Sequence, residues 1–189
     1  MNKLQIGFIF LAGLMLVVGG PTVAENRFVT QEAVDMIEQR QDTMARMLEA
    51  VDQVVPRLGA NQSAPVPMNP SHWPLIRKQI ETTRVLLTES EAMWASQTNL
   101  GYGSISGAEP GIWSLPRAFE RRYSLARTSL SALEQAIELE DAAGARSSLC
   151  ALVQACGECH AAYRVVDTES LIREGVSWLG RYPGCVRGY

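Results

Sequence analysis

Residues 142–164 read AAGARSSLCALVQACGECHAAYR. Leu149, Leu152, Val153, Cys156, His160 and Tyr163 recur at helical steps, so the stretch predicts one helix beginning near Ala142 with a single inward face. Near its end stands Cys156-Gly-Glu-Cys159-His160. C-x-x-C-H is the covalent attachment pattern of c-type haem. Each thiol adds to one vinyl group, and the histidine that follows reaches the iron. Cys156 and Cys159 are therefore the expected attachment residues of one covalent haem c, and His160 an expected iron ligand. Other uses of the motif fit less well. A redox C-x-x-C needs a βαβ setting, and no strand pattern surrounds it. A zinc site lacks a fourth ligand, and a Cys156–Cys159 disulfide in mid-helix would be strained.

Upstream of this helix the chain shows the same spacing three more times. Val34, Ile37, Met44, Leu48, Val51 and Val55 form a first stripe, interrupted by the polar Gln41 and ended by Pro56 and Gly59. A second helix is expected from Ser71 as N-cap, with Pro74 in its first turn. It carries Trp73, Ile76, Ile80, Leu87 and Trp94. A third spans 112–139, with Pro116 in the opening turn and a stripe of Leu115, Phe119, Tyr123 or Arg122, Ala126, Leu130, Leu133 and Ile137. Residues 59–71 and 97–111 lack periodicity and read as loops. The prediction is an all-α fold: an antiparallel four-helix bundle over residues 25–166. Leu171, Ile172, Val176 and Leu179 add a short C-terminal helical segment within an extension at 167–189.

The N-terminus carries an address. Lys3 precedes an apolar run from Ile6 to Val18, broken by Gly19, Gly20 and Pro21, and small residues lead to Ala24. This is the layout of a secretory signal peptide at 1–24, cleaved after Ala24. Export to the periplasm permits disulfides. If the chain turns back near Asp167, Cys150 and Cys185 lie at similar distances from the bend, so a Cys150–Cys185 disulfide is expected. Composition only excludes. The chain has 189 residues, net charge −3 and two histidines, His72 and His160. That argues against a nucleic-acid binder and against a metal centre built from several histidines. His72 reads as a surface or helix-end residue. No acid–base or nucleophile constellation is visible, so a conventional enzyme is not expected.

A four-helix bundle with C-x-x-C-H near its C-terminal end resembles the class II c-type cytochromes, the cytochrome c-prime family. Arg40-Gln41 followed by Met44 and Met47 is similar to the family's Arg-Gln pair and distal residue. Pro110-Gly111-Ile112-Trp113 is similar to its Pro-x-Ile-Trp motif, and Cys159-His160-Ala161-Ala162-Tyr163-Arg164 to its C-H-x-x-[Tyr/Phe]-Arg ending. The resemblance spans about residues 30–165 and implies Met44 over the iron, with Arg40 and Gln41 near the haem propionates. Arg164 would lie near the proximal ligand or at the bundle end. Trp113, Phe119 and Tyr123 fit core and haem contact equally.

The sixth ligand decides the function. Met44, Met47 and no protein ligand all remain open, with Met44 favoured. Met44 and His160 as axial ligands would make a low-spin carrier of single electrons between redox partner proteins. An open iron would instead bind nitric oxide or carbon monoxide. A bundle in which C-x-x-C-H is incidental is the third reading. The resemblance also leaves a homodimer open, paired through the first two helices.

Overall fold

The computed structural model describes residues 29–62, 67–101, 104–165 and 182–185. The signal segment at 1–24 and the short helix expected near 171–179 lie outside them. Among the described residues five α-helices form: α1 (Gln31–Val54), α2 (Trp73–Glu91), α3 (Gly111–Ser114), α4 (Pro116–Glu138) and α5 (Ala142–Tyr163). The four long ones, α1, α2, α4 and α5, make the expected bundle. α1 lies along α2, α4 along α5, and α2 packs on α4. Among the described residues there is no strand, only one isolated antiparallel bridge between Ala108 and Arg164.

Local chemistry sets the helix ends. The Thr30 side chain accepts from Ala33 N at the start of α1, leaving fewer orphan N–H groups. Asn69, not the expected Ser71, caps the next element: its side chain accepts from Ser71 N and opens a 3-10 turn at Pro70–His72 that runs into α2. Asp141 accepts from Ala143 N and Gly144 N to start α5. A Cβ on Gly144 would crowd Asp141 Oδ2, so a larger residue there would push on the capping carboxylate.

The expected third helix is divided. Leu115 leaves helical geometry at φ −128°, ψ 56°, because a residue before proline is pushed out of the α region. The single turn α3 therefore stops, and Pro116 opens α4. Leu115, placed in the stripe by spacing, is 63% exposed, while Phe119, Tyr123, Ala126, Leu130, Leu133 and Ile137 are buried as expected.

The buried face of α1 is turned from the expected one. It consists of Ala33, Ile37, Arg40, Thr43, Met47, Ala50, Val51 and Val54. Gln41 is exposed and Met44 and Leu48 are half-buried, because these three border a cavity rather than a neighbouring helix.

Residues 182–185 strap the far end of the bundle. Cys185 is disulfide-bonded to Cys150 of α5, as the sequence suggested. Tyr182 is 2% exposed, and its hydroxyl donates to Asp52 Oδ1 of α1 at 2.7 Å. Gly184 N donates to Ala60 O at 3.0 Å. A Cβ on Gly184 would stand 2.5 Å from that oxygen, so only glycine permits the approach. The strap thus joins the C-terminal end of α1 to the first half of α5. Replacing Cys150 and Cys185 together by serine should lower the unfolding free energy by about 2–4 kcal/mol in urea titration. An unshifted midpoint would show that the bridge adds nothing to the noncovalent strap.

Candidate functional site

A cavity of about 580 Å³ opens between α1, α4 and α5, within the range of about 300–1,000 Å³ typical of ligand and cofactor sites. Every residue singled out by sequence for a cofactor lines it: Arg40, Gln41 and Met44 from α1, and Cys156, Cys159 and His160 from α5. The α5 residues reach it because positions 156, 159, 160 and 163 share one helical face. Phe119, Tyr123 and Ala126 of α4 supply an apolar flank.

Cys156 and Cys159 are free thiols. Burial pushes Cys156 up to about 12, with Cys159 adding to the rise. Burial also pushes Cys159 up to about 11, against the pull of Arg122. Both are neutral at ordinary pH. Among the described residues no group of three or more His, Cys, Asp or Glu is placed to hold an ion. The donor set suits a prosthetic group bonded through carbon, with one imidazole for its metal.

Arg40 builds the rim. It is 3% exposed. Its Nη1 donates to Met93 O and Thr98 Oγ1, both at 3.4 Å. Nη2 donates to Ser106 O at 3.1 Å and to Ser106 Oγ at 2.9 Å. The guanidinium carbon stands 4.4 Å from the centre of the Trp94 ring, a cation–π distance. These four bonds leave Nε–H as the guanidinium donor they do not engage. Gln41 is not the buried amide expected from its seam position. It is exposed, and its Nε2 donates to Ile105 O at 2.8 Å. Met44 and Met47 both line the cavity, Met47 being the more buried.

The segment 104–108 closes one end. Gly107, at φ +56°, turns the chain so that Gly107 O accepts from Val165 N at 3.0 Å. Glu109 N donates to Tyr163 O at 2.9 Å. Arg164, the C-cap of α5, lines this end of the cavity and bridges Ala108.

The structure adds one wall that the sequence did not indicate. Trp94 lies beyond the end of α2 and lines the cavity. Its Nε1 donates to Tyr123 Oη at 2.9 Å. Ser90 Oγ donates to Leu87 O at 2.8 Å, so the Tyr123 proton points to Ser90 Oγ, 2.8 Å away. Phe119 packs edge-on against Trp94 at 4.9 Å and Tyr163 at 5.2 Å. Trp113 stands behind, donating to Trp94 O at 3.1 Å. The spacing placed Trp94 on the stripe of the second helix, but α2 ends at Glu91, so Trp94 reaches the cavity from the loop that follows, and a loop path carries no periodicity. His72 sits at the start of α2, outside the cavity.

A family model described as Cytochrome C' matches residues 35–164. The chain belongs to the cytochrome c' family. One covalently attached haem c comes with that membership, and the cavity's thiols, imidazole and apolar walls fit it. Among solved structures, a cytochrome c' is 20% identical at a TM-score of 0.60, covering 70% of this chain and 96% of that one. A ferrous variant of cytochrome c prime from Alcaligenes xylosoxidans with bound NO is 20% identical, with TM-score 0.61 and coverage of 71% and 97%. Another variant from that organism, a nitric oxide complex, is 21% identical, with TM-score 0.60 and coverage of 71% and 97%. These likenesses bear out the four-helix fold. No curated protein sequence matches the chain.

Arg40→Lys keeps a charge but loses the guanidinium fork. It should lower stability by about 1–3 kcal/mol and speed amide exchange across residues 93–108 by hydrogen–deuterium mass spectrometry. Unchanged exchange there would show that Arg40 does not hold the rim.

Proposed function

We propose that this chain is an exported, monohaem c-type cytochrome whose haem is open on the α1 side and binds nitric oxide or carbon monoxide. One observation carries the reading. Facing the cavity from α1, around the position expected over the iron, are Met44, Met47 and Leu48, with no imidazole, amine or carboxylate among them. Such a wall excludes water and leaves room for a small apolar ligand. The two Alcaligenes xylosoxidans relatives were solved with nitric oxide bound, which supports the same reading.

Haem c, when bound, supplies an iron that changes by one electron and takes a diatomic ligand. Cys156 and Cys159 would hold the group through thioethers, and the His160 imidazole would bind its iron. Arg40 is the cation available to the propionates through Nε–H, with Gln41 beside it. Phe119, Tyr123 and Trp94 would exclude water from the flank. The periplasm is the compartment this reading calls for, with residues 1–24 removed after Ala24. An oxidising compartment also suits the Cys150–Cys185 bond.

A second reading is an electron carrier with Met44 as sixth ligand. It is favoured by Met44 standing half-buried in the same cavity as His160, where a thioether would stabilise ferrous iron. Absorption spectra separate the two. The proposal expects a high-spin protein that takes up carbon monoxide readily when ferrous, with little spectral change in Met44→Ala. A low-spin spectrum with the far-red band of methionine ligation, lost in Met44→Ala, would overturn it in favour of the carrier.

A further inference from the structure

Charge is sorted along this bundle. α1 exposes Glu32, Asp35, Glu38, Asp42 and Glu49 against Arg46 alone, which pairs with Asp42, and the far end of α4 carries Glu134 and Glu138. The first half of α4 instead holds Arg117, Arg121, Arg122 and Arg127 against Glu120 alone, in a chain of net charge −3. Two of these arginines are neutralised: Arg122 pairs with Glu158, and Arg127 with Glu91. Arg117 and Arg121 are exposed and have no ion pair among the described residues. They fall at steps of four with Leu125, which is 50% exposed, so all three run along one outer strip of the helix.

This strip lies level with the cofactor motif. Phe119 touches Tyr163, and Arg122 reaches Glu158, so the stretch 117–122 runs beside the last turn of α5. Around the motif that turn exposes Glu158, which Arg122 holds, and the short side chains Ala161 and Ala162. A partner surface resting on 161 and 162 meets no long side chain at those two positions.

We propose that this face, Arg117, Arg121 and Leu125 with Ala161 and Ala162, docks an acidic electron-donor protein. The donor loses one electron, the ferric iron gains it, and no proton moves. The inference rests on the haem reading above, since carbon monoxide binds only ferrous iron and something must supply the electron. The arginines give the long-range attraction, Leu125 the apolar contact, and the alanines the close approach.

The test is stopped-flow reduction of the ferric holoprotein by reduced flavodoxin, a small acidic one-electron donor. A small uncharged flavin reductant serves as control. The wild-type rate with flavodoxin should fall about tenfold as salt rises from about 10 to about 200 mM. Arg117→Glu with Arg121→Glu should be about tenfold slower at low salt and lose the salt slope. Its rate with uncharged flavin should stay unchanged. Glu38→Lys on α1 should leave both rates as they are. Should the double reversal lose its helical circular dichroism, Arg121→Gln alone should still show a slowing of about two- to threefold. A wild-type rate that is flat or rising with salt, or variants as fast as wild type, would overturn the docking face. Failure of the haem reading is a separate outcome, because the uncharged flavin would then produce no change in absorption.

Discussion

Arg40 is a cation sealed at 3% exposure, and its four hydrogen-bond acceptors are all neutral oxygens. A charge in that setting must be answered by dipoles placed around it. Met93 O and Thr98 Oγ1 come from the end of α2 and the turn after it, and Ser106 from the segment before α3. One side chain of α1 therefore fixes two pieces of loop that have no periodic structure of their own. The Ser106 segment pairs with the end of α5 through Gly107 and Val165. The guanidinium also lies over the Trp94 ring, and Trp94 orients Tyr123 through its indole N–H. Without these ties the rim of the cleft would have little to define it, because apolar packing alone does not order a Gly- and Ser-rich loop.

The same constraint explains what was and was not legible in the sequence. On α4 the apolar spacing named most of the buried residues, and on α5 it named Leu149, Leu152 and Val153, while Cys156, His160 and Tyr163 of the same stripe face the cavity. Cys156, Cys159 and His160 were legible because the covalent chemistry fixes their spacing. On α1 the rule failed at one flank. A helix that borders a cavity has two inward directions, toward its neighbours and toward the cavity, and spacing cannot separate them. The spacing put Met44 on the packed seam, with Gln41 as its polar interruption, for that reason, whereas the buried position went to Arg40, the residue type least expected there. The break at Leu115 was written in Pro116 and was overruled in the reading by the length of the stripe. The place of Trp94 in the cavity wall was found only by the fold, because it depends on a loop path.

The cleft divides its tasks by helix. α5 contributes the thiols and the imidazole, α1 the thioethers and aliphatic carbons, and α4 the aromatic flank. No described helix is long and apolar enough to cross a membrane. On the proposed reading, the residues that would separate a gas site from an electron carrier, Met44, Met47 and Leu48, lie close together on α1.

The Cys150–Cys185 bridge has a consequence for how the protein is made. On the haem reading, α5 carries three cysteines within ten positions and asks for opposite fates. Cys150 must be oxidised, whereas Cys156 and Cys159 must arrive at the cofactor as thiols. An oxidising compartment does not make that distinction by itself, and a Cys150–Cys156 or Cys156–Cys159 bond would block attachment. Cys185 comes near the end of the chain, 35 residues after its partner. The correct bond therefore forms late, after the whole of α5 has emerged. Maturation becomes a contest between thiol oxidation and cofactor attachment, and the position of the last cysteine delays the first contestant.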